Sequence, residues 1–357
     1  MEKELRLMKG NEAIAEAAIR AGVDGYFGYP ITPQSEILEY LMEANPYERT
    51  GMVVLQAESE IAAINMVYGG AGCGKKVMTS SSSPGISLKQ EGISYIAGAE
   101  LPCLIVNVVR AGPGLGTIQP AQSDYFQSVK GGGHGDYHLI VLAPASVQDM
   151  ADFVEVGFDL AFKYRNPVLI LSDGAIGQMM EKVYLKPYIP RSTVFPEWAT
   201  TGKTASRERN IITSLDLDPD GQEDFNHKLQ AKYDDIKKNE VRFEEFMCED
   251  AEYILIAYGT SARVCQKSVQ IARGQGIRVG LLRPITLFPF PSVRISQLAE
   301  KVKGMLSVEM SAGQMVEDVL LAVNGKVPVR HFGRMGGIVT TPDEVVDTLK
   351  TLFIGGK

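Results

Sequence analysis

The stretch Cys103-Leu-Ile-Val-Asn-Val-Val109, followed at once by Arg110, decides the fold. A nearly continuous apolar run of this length reads as a strand buried on both faces, as in a parallel sheet covered by helices. Its surroundings repeat that logic. Upstream, Tyr26-Phe-Gly-Tyr29, Val53-Val-Leu55 and Lys76-Val-Met-Thr79 read as strands, and downstream so do Leu139-Ile-Val-Leu142 and Pro167-Val-Leu-Ile-Leu171. Helical patterns lie between them. Asn11 is expected to cap a helix carrying Ile14, Ala17, Ala18 and Ala21, with Gly22 ending it. Thr32 reads as an N-cap and Pro33 as the first helical residue of a helix through Leu41. Further helices are expected from Glu60 to about Gly69, from about Ile86 to Ala97, and over 147–162. Strand–helix alternation of this kind argues a doubly wound parallel α/β sheet.

From about Glu181 to Glu249 the pattern breaks. Prolines at 187, 190 and 196 precede a polar run and a charged helix expected over Lys228–Phe246, which together read as a connector. A second, smaller alternation then begins with Tyr253-Ile-Leu-Ile256 and ends with the strand Gly304-Met-Leu-Ser-Val-Glu309. The expected division is residues 1–185, a connector over 186–249, and a second α/β domain over 250–357.

Composition removes several functions. The 36 basic and 43 acidic residues leave a net charge of −7, against the basic stripe that nucleic acid demands. Cys73, Cys103, Cys248 and Cys265 form no C-x-x-C pair, so a disulfide framework, a zinc site or an iron–sulfur cluster on this chain alone is not expected. No apolar run reaches the roughly eighteen residues of a membrane span. Met1-Glu-Lys-Glu-Leu-Arg6 lacks the apolar segment of a signal peptide, so the chain reads as soluble and cytoplasmic.

Ligands of open α/β sheets gather at the carboxyl ends of the strands. Four segments there are unusual: Tyr29-Pro-Ile-Thr32, Glu58-Ser-Glu60, Ser80 to Gly85, and Arg110-Ala-Gly-Pro-Gly-Leu-Gly116. Each has a plain structural role to weigh against a functional one. Thr32 and the serines of 80–83 suit caps and turns. Gly112-Pro-Gly-Leu-Gly116 lacks the spacing of a dinucleotide loop. Gly131-Gly-Gly-His134-Gly135 reads as a loop, and its sequence assigns His134 no role. Glu60 opens a helix, where either it or Glu58 would favour the helix dipole. The residues after Glu60 are mostly apolar, however, so its carboxylate needs a partner. Arg110 could pair a structural acid or, equally, a carboxylate or phosphate ligand in two-pronged fashion.

Together, Gly28-Tyr-Pro-Ile-Thr-Pro33, Glu58-Ser-Glu-Ile-Ala-Ala63, Thr79-Ser-Ser-Ser-Ser-Pro-Gly85 and Arg110-Ala-Gly-Pro-Gly114 resemble the alpha subunit of 2-oxoacid:ferredoxin oxidoreductases. The resemblance extends over Leu282-Arg-Pro-Ile-Thr-Leu-Phe-Pro289 and Ser307-Val-Glu-Met310. Gln56-Ala-Glu-Ser-Glu60 and Lys130-Gly-Gly-Gly-His-Gly-Asp-Tyr137 look most like the branched-chain, 2-oxoisovalerate type; a 2-oxoglutarate or pyruvate type and a non-catalytic scaffold subunit are the alternatives. The resemblance implies a pyrimidine-binding domain of a thiamine-diphosphate enzyme followed by a transketolase-C-terminal-like domain. It implies that Glu60 hydrogen-bonds the cofactor's aminopyrimidine, that Pro30, Thr32 and Ser83 line the cofactor, and that Thr32 and Arg110 face the 2-oxoacid. Ser172-Asp-Gly174 lacks the first glycine of the G-D-G motif that holds diphosphate and Mg2+, and no N-N follows it. The diphosphate and its metal are therefore expected on a partner beta subunit, and no metal site on this chain. Iron–sulfur clusters are expected on further, gamma-type partners, with coenzyme A as co-substrate and ferredoxin as electron acceptor.

Overall fold

Strands without an exposed face must be covered from both sides, and in the computed structural model this requirement organises residues 4–355, the residues described. Met1–Lys3, where the reading of the N-terminus begins, and Gly356–Lys357 lie outside the described residues. The first half supplies β1 (Glu4–Lys9), β2 (Gly25–Gly28), β3 (Val53–Gln56), β4 (Val77–Ser81), β5 (Leu104–Val109), β6 (Ile140–Leu142), β7 (Val168–Asp173) and β8 (Met180–Leu185). The second half supplies β9 (Phe243–Phe246), β10 (Tyr253–Ile256), β11 (Val279–Pro284), β12 (Thr286–Phe288), β13 (Gly304–Glu309) and β14 (Val329–Gly333). The main sheet has the order β12-β6-β7-β5-β4-β2-β3, and the second sheet β14-β13-β10-β11-β9. Every residue of β4, β5 and β7 is buried. Their pairings are all parallel, as doubly covered strands require.

The helices that position the site are α1 (Gly10–Arg20), α2 (Ser35–Glu43), α3 (Pro46–Thr50), α4 (Glu60–Gly72) and α5 (Ser83–Gly98). Two expected caps are corrected. The cap of α1 is Lys9, and Asn11 lies inside the helix, where its amide donates to the Pro33 carbonyl at 2.8 Å. Asn11 is used as a long-range tie rather than a local one. Thr32 and Pro33 stand in a turn before α2, whose cap is Gln34. The Gln34 side chain donates to the Tyr29 carbonyl at 3.0 Å and accepts from Ser80, closing the loop before the helix can start.

The stretch read as a connector also does more than connect. Its helix runs over Pro219–Asn239, not to Phe246, and buries Leu229, Tyr233 and Ile236 in the main core. Residues 243–246 leave the helix to become β9, the antiparallel edge of the second sheet. The chain crosses between sheets once more at β12, which pairs antiparallel with β6. No helix among the described residues is long and apolar enough to cross a membrane.

The two sheets are locked by a buried carboxylate. Asp173, at the end of β7, accepts from the backbone N–H groups of Ala175 at 3.0 Å and Ile176 at 3.2 Å, so it caps the short helix after it. It also accepts from Thr260 of the second half, through the hydroxyl at 2.7 Å and the backbone N–H at 3.0 Å. Burial raises its pKa, and these donors pull it back. Gln122 forms a parallel tie: its side chain donates to the Tyr258 carbonyl at 2.8 Å and accepts from Ser261 at 2.7 Å. Replacing Asp173→Ala orphans buried donors on both sides of the joint. It should cost about 2–4 kcal/mol of stability, measured by denaturant unfolding of the full chain.

Candidate functional site

The strand order reverses at β2: from it the chain moves outward to β3, then back across to β4 and β5. Such a switch point opens a crevice at the carboxyl ends of the strands. The loops there carry the residues singled out in the sequence. Thr32 follows β2, Glu60 follows β3, Ser83 follows β4 and Arg110 follows β5.

Three of them are joined directly. The Arg110 guanidinium donates to the Thr32 carbonyl at 3.0 Å and to the Leu115 carbonyl at 3.2 Å. The Ser83 hydroxyl donates to the Arg110 carbonyl and accepts from its backbone N–H, both at 3.1 Å. Among the described residues no acid forms an ion pair with Arg110, so the structural-acid alternative is not what holds it. Its Nε is buried and without a partner. Pro30 is exposed on the same loop as Thr32. His134 stands apart, exposed, its ring edge-on to Tyr95 at a centroid distance of 6.0 Å.

Glu60 is the first residue of α4, and Ser59 caps that helix by accepting from the Ala62 N–H at 3.2 Å. The Glu60 side chain is buried, whereas Glu58 is exposed, which separates the two carboxylates that the sequence left open. No described residue donates a hydrogen bond to the Glu60 carboxylate. It lies against Gly85 in the first turn of α5, where a Cβ would meet Glu60 Oε1 at 2.7 Å and Ser81 Oγ at 2.0 Å. Ser81 Oγ and Ser82 Oγ are likewise buried and without partners. A carboxylate and two serine hydroxyls, all unspent at one turn, suit a ligand whose edge both donates and accepts.

Beside this turn a cleft of about 700 Å3 opens between the two halves. One wall is Ser83, Leu88, Pro113, Leu115 and Asp124, and the facing wall includes Met310, Gln314 and Met335. The facing wall is fixed by Glu309, a fully buried carboxylate that accepts from the N–H groups of Gln314, Met315 and Val316 at 2.9–3.0 Å. Gln314 in turn accepts from the Phe126 N–H at 2.9 Å and donates to the Ser123 carbonyl at 2.8 Å.

Against known proteins, residues 16–244 match the family "Pyruvate flavodoxin/ferredoxin oxidoreductase, thiamine diP-bdg" and residues 251–345 match "Pyruvate:ferredoxin oxidoreductase core domain II". The chain belongs to the 2-oxoacid:ferredoxin oxidoreductases, as an alpha-type subunit. It is 56% identical to the ketoisovalerate oxidoreductase subunit VorB of Methanothermobacter marburgensis, over 93% of each chain. It is 38% identical to the 2-oxoglutarate synthase subunit KorA of Archaeoglobus fulgidus, over 97% of this chain and 99% of that one. In structure it resembles the 2-oxoglutarate:ferredoxin oxidoreductase of Magnetococcus marinus, solved with 2-oxoglutarate, coenzyme A and succinyl-CoA, at a TM-score of 0.85 and 27% identity. That match covers 98% of this chain, which spans 65% of the solved one. An inactive transketolase tetramer, at 12% identity and TM-score 0.60, shares the fold.

Two polar residues that the sequence reading passed over also brace this crevice. Asn107 accepts from the Ser83 N–H at 3.2 Å and donates to Asp124 at 2.9 Å, tying α5 to the cleft wall. Burial raises the Asp124 pKa, and the bonds from Asn107 and Ser83 oppose the rise. The available signal was one amide inside an otherwise apolar strand, since a buried polar side chain must have partners. Gly85 supplies the test of the turn. Alanine there gains about 1 kcal/mol in helix propensity but forces a methyl into Ser81 and Glu60, which costs about 1–3 kcal/mol. Gly85→Ala should therefore be destabilising in chemical denaturation despite its better helix former.

Proposed function

We propose that this subunit, with a beta subunit carrying the diphosphate-binding domain, oxidatively decarboxylates a branched-chain 2-oxoacid such as 2-oxoisovalerate to its acyl-CoA and CO2, reducing ferredoxin. The observation that carries the substrate class is the cleft. Leu88, Pro113, Leu115, Met310 and Met335 make its walls largely apolar, and no lysine or arginine is among its lining residues. A 2-oxoglutarate enzyme has a second carboxylate to neutralise, and an apolar wall leaves that charge unpaired. The relatives at 56% and 53% identity, both ketoisovalerate oxidoreductase subunits, agree with this choice.

The residues fit thiamine diphosphate at its pyrimidine end. Glu60 would bond the aminopyrimidine ring, while Pro30, Thr32 and Ser83 would line it; the unpartnered Glu60 carboxylate and the Ser81 and Ser82 hydroxyls supply the polar edge such a ring needs. When bound, the cofactor supplies an acidic carbon that adds to the 2-oxo group and takes up the electrons left by departing CO2. Glu60 holds a proton against the ring as a general acid–base group. Arg110, next to the cleft-lining Ala111, would turn its planar guanidinium to the substrate carboxylate by exchanging its bonds to the Thr32 and Leu115 carbonyls. Mg2+ and the diphosphate would lie on the beta subunit, because Ser172-Asp-Gly174 lacks the first glycine of the G-D-G motif and no N-N follows it. Iron–sulfur clusters would sit on gamma-type and other partners, and coenzyme A would enter as co-substrate. A cytoplasmic enzyme divided into a pyrimidine-binding domain over 1–185, a connector over 186–249 and a transketolase-C-terminal-like domain over 250–357 completes the reading.

A panel of 2-oxoacids assayed on the reconstituted complex with a redox dye tests the reading; preference for 2-oxoglutarate over branched-chain acids would overturn it. In the same assay Arg110→Lys keeps the charge but loses the two-pronged geometry. It should lower kcat/KM about ten- to a hundredfold, equivalent to roughly 1.5–3 kcal/mol, with little change in melting temperature. Glu60→Gln should slow C2–H exchange of the bound cofactor by roughly 10²–10⁴-fold in NMR, while the complex still assembles. Exchange at the wild-type rate would move the role to Glu58.

A further inference from the structure

The cleft holds one charge that its apolar walls do not explain. Among the described residues that line it, Asp124 alone has an ionisable side chain. Its ordinary use would be local. Asp124 is the N-cap of the short helix Tyr125–Val129, where an aspartate usually bonds the first helical N–H groups. Here the carboxylate makes no such bond. Only the backbone carbonyl serves the helix, accepting from the Ser128 N–H at 3.0 Å and the Ser128 hydroxyl at 2.8 Å. No lysine or arginine among the described residues forms an ion pair with Asp124.

The carboxylate is instead held from β5. Asn107, fully buried there, accepts from the Ser83 N–H at 3.2 Å and donates to Asp124 Oδ2 at 2.9 Å. With Ser83 also against it, two of the roughly four acceptor positions of an ionised carboxylate are taken. The others are left to the cleft. An anion with no counter-charge beside apolar walls is costly, so it calls for a use. Burial raises its pKa, which makes it a stronger proton acceptor than an ordinary carboxylate.

The proposed reaction has a proton to dispose of. A 2-oxoacid anion and coenzyme A give acyl-CoA, CO2, an electron pair and one proton. The carbon–carbon bond to the carboxylate breaks, the carbon–sulfur bond forms, and the electron pair goes to ferredoxin. The proton released is that of the thiol. Only the thiolate is a nucleophile, and an ordinary thiol is largely protonated at neutral pH. The cleft, at about 700 Å3, is of a size that takes in a drug-sized molecule and exceeds what a small 2-oxoacid fills. Ser87, Ser123, Ser311 and Gln314 set polar points among its apolar ones, which suits an arm of alternating amides and methylenes. Glu60, the other carboxylate of the site, is not among the residues lining the cleft.

We propose that Asp124 is the base of this site: it accepts the thiol proton of coenzyme A as the carbon–sulfur bond forms. The inference rests on the reading of the chain as part of an enzyme that uses coenzyme A as co-substrate.

The assembled complex tests it, first without any substitution. Desulfo-coenzyme A, which lacks the sulfur, should bind about threefold to tenfold more weakly than coenzyme A in calorimetry, because it loses the weak S–H donor that Asp124 accepts. Equal affinities overturn the proposal. In Asp124→Asn, which keeps the shape and an acceptor for Asn107, the ratio should shrink to within about twofold of equality. The wild-type ratio persisting in the variant overturns the proposal as well. Acyl-CoA formation by Asp124→Asn should fall about 10²–10⁴-fold, the loss expected for a general base. A pantetheine analogue with a more acidic thiol, ionised without help, should regain at least about tenfold of that loss. A role confined to bracing the cleft wall slows both thiols equally, and that result overturns the proposal. A wild-type complex that oxidises 2-oxoacids without consuming coenzyme A overturns the reading itself, a failure separate from the others, and the inference falls with it.

Discussion

A carboxylate can be buried at the head of α4 because the neighbouring helix presents no side chain to it. Gly85 and Gly92 bring α5 so close to α4 that Glu60 and Ile64 occupy the space where their Cβ atoms would stand. The rest of the site depends on that approach. It sets Ser83, the first residue of α5, within reach of the Arg110 backbone, and Arg110 in turn holds the loop that carries Thr32. A single close helix contact thus gathers side chains from four separate strand ends.

The second half of the chain completes the cleft by the same physical device, a carboxylate sealed at a helix terminus. Asp173 satisfies donors on both sides of the joint, and Glu309 satisfies three backbone N–H groups that open the helix facing the site. Each is an anion placed where a helix has unpaired donors and favourable dipole charge. Because these acids are buried, their donors have no water to turn to, and the joint becomes rigid. The apolar wall formed by Met310 and Met335 is held against Leu115 by this scaffold rather than by direct apolar packing alone. The shape of the cleft is therefore an outcome of how the two sheets are locked.

Much of this was legible in the residues. Doubly apolar runs at 104–109 and 168–171 required a covered parallel sheet whatever their neighbours, because strands with no polar face cannot meet water. The segments after β2, β3, β4 and β5 carried Thr32, Glu60, Ser83 and Arg110, and the parallel order of those strands delivered them to one sheet edge. Local cap rules failed at Asn11 and Thr32, since both backbone and side-chain groups there are engaged by residues far along the chain. The connector's helix and β9 were misjudged for a related reason. The charged run gave no sign that Leu229, Tyr233 and Ile236 would find a core to enter.

The sequence by itself determined the class of fold, the family and the residue types available for chemistry, because periodicity and motif spacing are properties of the chain. Only the tertiary structure buried Glu60 while leaving Glu58 exposed, and joined Arg110 to carbonyls instead of an acid. Burial and distance are set by contacts between residues remote in sequence. The field that a buried charge exerts depends on both.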